Sequence, residues 1–153
     1  MYNKILVPLD GSPLSEEVLT HVRAIARCMN AQVLLVRVPV VMPYDYNIVD
    51  AELISTLEAN ARVEIQTYLE KMTASLAAEG IRVSYLIGEG LVAETLLAIA
   101  DSEECDLICM STHGRSGLAR MLMGSVADRV VHGAIAPVLL IRPNAPETKP
   151  GVI

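Results

Sequence analysis

The chain has 153 residues, enough for one domain with a sizeable core, and a net charge of −6 without any block of Lys or Arg. That balance argues against double-stranded nucleic acid and anionic membrane as partners, and leaves room for a small anionic ligand held by local dipoles. Apolar residues make up 52% of the chain, yet its only aromatic residues are five tyrosines, so the core is aliphatic, as in a buried parallel sheet covered by helices. No apolar run is long enough to span a bilayer, and no charged segment followed by an apolar one opens the chain. Cys28, Cys105 and Cys109 are odd in number and form no CxxC pair. Cys109 lies in an apolar run and reads as a small buried hydrophobe. The expectation is a reduced cytoplasmic protein.

In chain order, Lys4 to Leu9 (KILVPL) reads as strand one. Ser12 then caps a helix that has Pro13 at its first position and Leu14, Val18, Val22, Ile25 and Met29 on one stripe, with Asn30 as its stop. Gln32 to Val38 is strand two. Pro39 to Asp50 is a long connection, either a lid or wall near a ligand or an idle surface insertion. Ala51 to Glu79 is a long helix with Leu57, Ala61, Ile65, Leu69, Met72 and Leu76 along one face, and Gly80 ends it. Ile81 to Ile87 alternates as a strand at or near an edge would. A turn at Gly88-Glu89-Gly90 leads to a helix over Leu91 to Ala100, with Val92, Leu96 and Ile99 inward. Leu107 to Met110 is strand four, fully apolar and so central. A helix runs from about Ser125 to His132, and Val138 to Ile141 is strand five. Residues 1–143 form one domain, and residues 144–153 read as a tail. The βαβαβαβαβ order implies a parallel sheet with helices on both faces.

One stretch stands out, Met110 to Val126 (MSTHGRSGLARMLMGSV). A strand here runs into a loop with Gly114, Gly117 and Gly124 and then into a helix start. Glycine lets backbone N–H groups approach an anion, and the first N–H groups of a helix have no internal partners. On these grounds alone it is either a phosphate-binding loop or an ordinary glycine-containing surface loop. There is no GxxxxGK[ST]. Gly88-x-Gly90-x-x-Ala93 matches the dinucleotide fingerprint, but it sits in the third crossover and the next strand ends without a carboxylate for a ribose. A receiver domain would need an Asp where strand three ends Ile87-Gly88. His21, His113 and His132 have no metal-ligand spacing, and no serine sits in a GxSxG elbow. His21 and His132 read as surface or satisfied helix positions.

In an open parallel sheet, ligands bind at the carboxyl ends of strands, where the winding reverses. If strands one and four are central neighbours, the crevice lies between Pro8-Leu9-Asp10 and Met110 to Gly114. Asp10 is then either a turn-former before Gly11-Ser12 or the group that accepts a ribose hydroxyl or helps to hold a metal on phosphates.

These residues resemble the universal stress protein family over nearly the whole chain: KILVPLDGS at the start, the long second helix, IGEG after strand three, and STHGRSGLARMLMGSVADRVVHGAIAPVLLI at the end. The ATP-binding branch carries G-x2-G-x9-G-[ST]. Here Gly114, Gly124 after nine intervening residues, and then Ser125 keep that spacing, while Ser111 replaces the first glycine. The resemblance implies a single-domain α/β fold, an open five-stranded sheet of order 3-2-1-4-5, like the adenine-nucleotide α-hydrolase-like proteins. It implies ATP, ADP or AMP as ligand, with the adenine near Pro8, Leu9, Val36, Val38 and Met110. The ribose falls to Asp10 and Ser111. The phosphates fall to Gly114, Arg115, Gly124, Ser125 and Val126, with Gly117 in the same loop. His113 is a structural or ribose-side contact. A divalent Mg²⁺ or Mn²⁺ would be held mainly by phosphate oxygens and water. Strand five lies at an edge in this order, and the family forms homodimers through it, so Val138, Leu139, Leu140 and Ile141 are the expected interface; the alternative is an edge shielded by the tail.

Three functions follow as expectations. The first is an ATP-binding stress or regulatory protein with at most slow hydrolysis. The second is a ligand-free dimeric interaction module. The third is an adenylating enzyme of the wider superfamily.

Overall fold

The computed structural model describes residues 1–40, 50–112 and 123–143. Its strands are β1 (Lys4–Pro8), β2 (Gln32–Arg37), β3 (Val83–Ile87), β4 (Leu107–Ser111) and β5 (Val138–Ile141), and its helices are α1 (Pro13–Glu16), α2 (Val18–Met29), α3 (Ala51–Ala78), α4 (Val92–Ser102) and α5 (Ser125–Gly133). The five strands form one parallel sheet in the order β3-β2-β1-β4-β5. The expected order and the expected helices on both faces are what the molecule has.

Local chemistry accounts for the elements. Ser12 Oγ accepts from Ser15 N at 3.2 Å and Pro13 occupies the first turn, so the first helix starts where a cap and a fixed φ put it. It is two pieces rather than one, α1 and α2 being separated at Glu17. Asn30 stops α2 with φ 52. Asp50 caps α3 by accepting from Glu52 N at 3.1 Å. Gly80, at φ +80, turns the chain out of that helix.

Alternation along β1, β2 and β4 sends side chains to two cores. Ile5, Val7, Val33, Leu35 and Cys109 pack with Val18 and Val22 of α2 and Ile65, Leu69 and Leu76 of α3. Leu6, Leu34, Val36, Ile108 and Met110 pack on the other face, with Leu96 of α4 and Ala127 and Val130 of α5. β4 is buried along its whole length, as its apolar sequence requires of a central strand. β3 and β5, at the two edges, are only half-buried.

Two further expectations need correction. Leu57 and Ala61 do not belong to the buried stripe of α3: both are exposed, and Ile54 takes the inward position in that half of the helix. The cause is length. A helix of 28 residues is about 42 Å long, whereas a five-residue strand such as β3 is about 17 Å, so α3 overhangs the sheet. The third strand also begins at Val83, not Ile81, because Ile81 N still donates to Leu76 O at the end of α3.

Candidate functional site

β1 and β4 are registered at Ile5–Leu107 and Leu6–Ile108 only. Beyond those pairs β1 follows β2, with Leu9 N donating to Val36 O at 2.9 Å, while β4 follows β5, with Thr112 N donating to Ile141 O at 2.8 Å. The sheet therefore opens at the carboxyl ends of its two central strands, where the winding reverses.

A cavity of about 320 Å³ fills that opening, within the range of small-molecule sites. One wall is apolar, made by Leu9, Val36, Val38, Val92, Leu96 and Met110. The other is polar, made by Asp10, Ser15, Ser111, Thr112 and the start of α5 at Gly124, Ser125 and Val126. Asp10 is the only carboxylate among the described lining residues, and there is no lysine, arginine or histidine among them.

The positive side of this cavity is backbone. Gly124 is the N-cap of α5; its own N–H donates to Thr112 O at 2.7 Å, and the first intrahelical bond runs from Asp128 N to Gly124 O at 2.9 Å. Helix geometry thus leaves the N–H groups of Ser125, Val126 and Ala127 without an intrahelical acceptor, and all three residues line the cavity. Glycine fits at 124 because of closeness rather than backbone angle. Its φ of −73 suits any residue, but a Cβ there would lie 3.1 Å from Thr112 O.

The opposite wall is a fastened turn. Asp10 Oδ1 accepts from Ser12 N at 2.8 Å, and Ser15 Oγ accepts from Asp10 N at 3.3 Å while donating to Ser12 O at 2.9 Å. Asp10 is thus the turn-former anticipated for an Asp before Gly-Ser, and it also faces the cavity. Ser111 stands at the end of β4, 8% exposed and paired with Ile141. Its backbone is that of a regular strand, so this position does not need the conformational freedom of glycine.

Pro8, Leu9, Asp10, Val36, Val38, Met110, Ser111, Gly124, Ser125 and Val126, drawn from four separate stretches of sequence, all line this one cavity. His113, Gly114, Arg115 and Gly117 lie outside the described residues. Thr112 lines it too, within the stretch expected to wall the crevice, and so does Val40, from the connection expected as a lid, a wall or an idle insertion; sequence reasoning missed Ser15, Val92, Leu96 and Ala127 as lining residues. Val92 and Leu96 carried a usable signal, since both were expected to face inward from a helix that begins at the carboxyl end of the sheet. The Gly88-Glu89-Gly90 turn, which imitates a dinucleotide fingerprint, does not line the cavity. Gly88 serves packing: a Cβ there would come 2.6 Å from Thr95 Cγ2 and 2.9 Å from Val38 Cγ2.

Cys109 points into the α2–α3 core, and burial pushes its thiol up to about 12. Burial likewise pushes Cys105 up to about 11, with the charge of Lys4 working against it. Both are therefore protonated at neutral pH and act as small hydrophobes. His21 and His132 are exposed helix residues, His132 Nδ1 lying 2.8 Å from Asp128 O. No described helix is long and apolar enough to cross a membrane.

Residues 1–142 match the model of the Universal stress protein family. Universal stress protein MJ0531 of Methanocaldococcus jannaschii is 35% identical over 144 residues, spanning 93% of this chain and 83% of that one. The solved structure of MJ0577, a universal stress protein of the same archaeon, superposes with a TM-score of 0.82 at 30% identity, over 94% of this chain and 98% of that one. A universal stress protein solved in complex with cAMP has the same fold, with a TM-score of 0.67 at 22% identity over 94% of this chain and 98% of that one.

Proposed function

Because this chain belongs to the universal stress protein family, we propose that its crevice binds an adenine nucleotide, with ATP as first choice and ADP or AMP as related ligands, and that the chain is a nucleotide-responsive regulatory protein. The observation that carries this reading is the cavity's division into an apolar wall and a helix start: Val36, Val38 and Met110 suit a planar base, and the N–H groups of Ser125, Val126 and Ala127 suit phosphate oxygens. In this reading Asp10 and Ser111, which line the cavity between them, take the ribose hydroxyls. Gly114 and Arg115 complete the phosphate contacts by the spacing of the family motif. A relative of the same fold in complex with cAMP supports an adenine nucleotide as the ligand class.

The lining favours binding over turnover. Among its described residues Asp10 is the only group that could take a proton, and one of its oxygens is already held by Ser12 N. Among the described residues no group of three or more His, Cys, Asp or Glu could hold a metal. A divalent Mg²⁺ or Mn²⁺ would accordingly ride on phosphate oxygens and water, with Asp10 as the nearest carboxylate, and would supply charge neutralisation there.

Residues 1–143 constitute the nucleotide-binding unit in this reading, and residues 144–153 a tail. Two copies pair through β5: Val138, Leu139, Leu140 and Ile141 form a short, half-buried, apolar edge strand, the kind of edge that a second copy covers. The net charge of −6 and the three free cysteines suit a cytoplasmic protein that binds neither nucleic acid nor membrane. The test is to purify the protein, denature it and identify any released nucleotide, then add ATP with Mg²⁺ to the stripped protein in a thermal melt. ATP or ADP in the extract and a rise in Tm are expected. An empty extract with no change in Tm refutes the reading.

A further inference from the structure

The crevice has a back wall on the other face of the sheet. Val36 and Val38 face the cavity, so strand alternation sends the Arg37 side chain to the α2–α3 side. Arg37 is only 9% exposed. Its guanidinium carbon lies 5.3 Å from the centroid of the Tyr68 ring on α3. The Tyr68 hydroxyl donates to Glu16 Oε1 at 3.0 Å, which ties the ring to α1. Burial above all, and then Glu16, hold the Tyr68 phenol far above its ordinary range against the pull of Arg37, so it stays a donor; the charge of Asp10 reaches it as well.

The same guanidinium packs against the Asp10-Gly11-Ser12 turn. Gly11 has φ +82, and a Cβ there would come 2.7 Å from Arg37 Nη1 and 3.1 Å from Arg37 Cζ. The turn is therefore gripped from two sides. Ser15 fastens it from within, and Arg37, seated on Tyr68, backs it from behind.

We propose that Arg37 is a positioning residue for the ribose end of the site, its guanidinium on Tyr68 bracing Gly11 and thereby fixing how the Asp10 carboxylate faces the crevice. This rests on the nucleotide reading above. It adds a residue on the opposite face of the sheet, outside the cavity, to those that set ribose recognition.

The test is to titrate ATP and 2′,3′-dideoxy-ATP, with Mg²⁺, into the native protein and into Arg37→Met, Arg37→Lys and Tyr68→Leu. Arg37→Met replaces a buried charge by an apolar side chain of similar length; because removing one member of a buried charged set can destabilise the fold, a thermal melt of each variant accompanies the titrations, and the ratio of the two nucleotide affinities is read only on folded protein. The native protein is expected to prefer ATP by about tenfold, the worth of one hydrogen bond to a charged acceptor. Arg37→Met should lose most of that preference by weakening ATP alone, Tyr68→Leu should follow it, and Arg37→Lys should keep part of it. A native preference that survives intact in Arg37→Met and Tyr68→Leu overturns the proposal. So does a parallel loss for both nucleotides, which would mark a general structural role, and so does a native protein that binds both equally. A native protein that binds neither nucleotide refutes the nucleotide reading itself.

Discussion

The sheet has a depression at each end, and only one of them suits a phosphate. At the amino ends of the strands, a groove of about 680 Å³ runs between the C-termini of α4 and α5. It is the larger of the two, yet Asp101, Glu104 and Asp106 line it, and helix C-termini point carbonyls toward it. The smaller cavity of about 320 Å³, at the carboxyl ends, has one carboxylate among its described lining residues and the N–H groups of a helix start. The difference follows from topology. In a parallel sheet with helical crossovers the helices run against the strands, so helix N-termini collect at the strands' carboxyl ends and helix C-termini at the other. Charge and dipole, rather than volume, separate the two ends.

That contrast can be broken most sharply at Ser125. Ser125→Asp puts a carboxylate at the first position of α5, where it should favour the helix by about 0.3–1 kcal/mol while opposing a phosphate there. ATP affinity is expected to fall about 100-fold or more, the cost of like charges in contact. Paired ATP titrations and melts check both signs, and a loss of affinity together with a loss of stability would contradict the account. Gly124→Val should weaken ATP about tenfold, because its Cβ would crowd Thr112 O at 3.1 Å and stand in the way of the anion; circular dichroism should show the fold intact.

At the other end the effects should fall on stability and leave binding alone. Asp106 accepts from Asn3 N at 2.7 Å, Asn3 Nδ2 at 3.0 Å and Lys4 N at 3.1 Å, tying the start of β1 to the start of β4. Burial acts to raise its carboxyl, but these donors prevail and hold it below the usual carboxylate value. With a lowered native pKa, this stabilisation is fully present above the unfolded value of about 3.9 and is lost as pH falls through the lowered native value. Asp106→Ala should cost about 1–2 kcal/mol at neutral pH and flatten the acid limb of a urea-denaturation series, with ATP affinity unchanged. The smallest effect is expected from Asp101→Asn combined with Glu104→Gln: a change in ATP affinity within about twofold, since salt screens charges this far from the site.

The elements of the sheet were legible because each carries a local signal: the apolar run of β4, the Ser12-Pro13 start of α1, Asn30 and Gly80 as stops. The lining of the candidate site was legible where it coincides with strand ends and a glycine spacing, at Asp10, Ser111, Gly124 and Ser125. The overhang of α3 was not, because Leu57 and Ala61 keep the helical period whether or not a sheet lies beneath them. Arg37 was equally hidden. In QVLLVRV it is one charge in a strand, and only the folded chain shows it packed between Gly11 and Tyr68. The role of Gly88 was masked by its likeness to a fingerprint; close packing on Thr95 and Val38 explains it.

The account stands or falls on whether the carboxyl-end crevice takes an adenine nucleotide at the start of α5. Calorimetric titration of ATP with Mg²⁺ into the nucleotide-free native chain, run beside Ser125→Asp, measures that directly. Saturable binding of one ATP per chain in the native protein, lost in Ser125→Asp with the fold unchanged, is the predicted result. No heat of binding to the native chain, or equal affinity in both proteins, would contradict it.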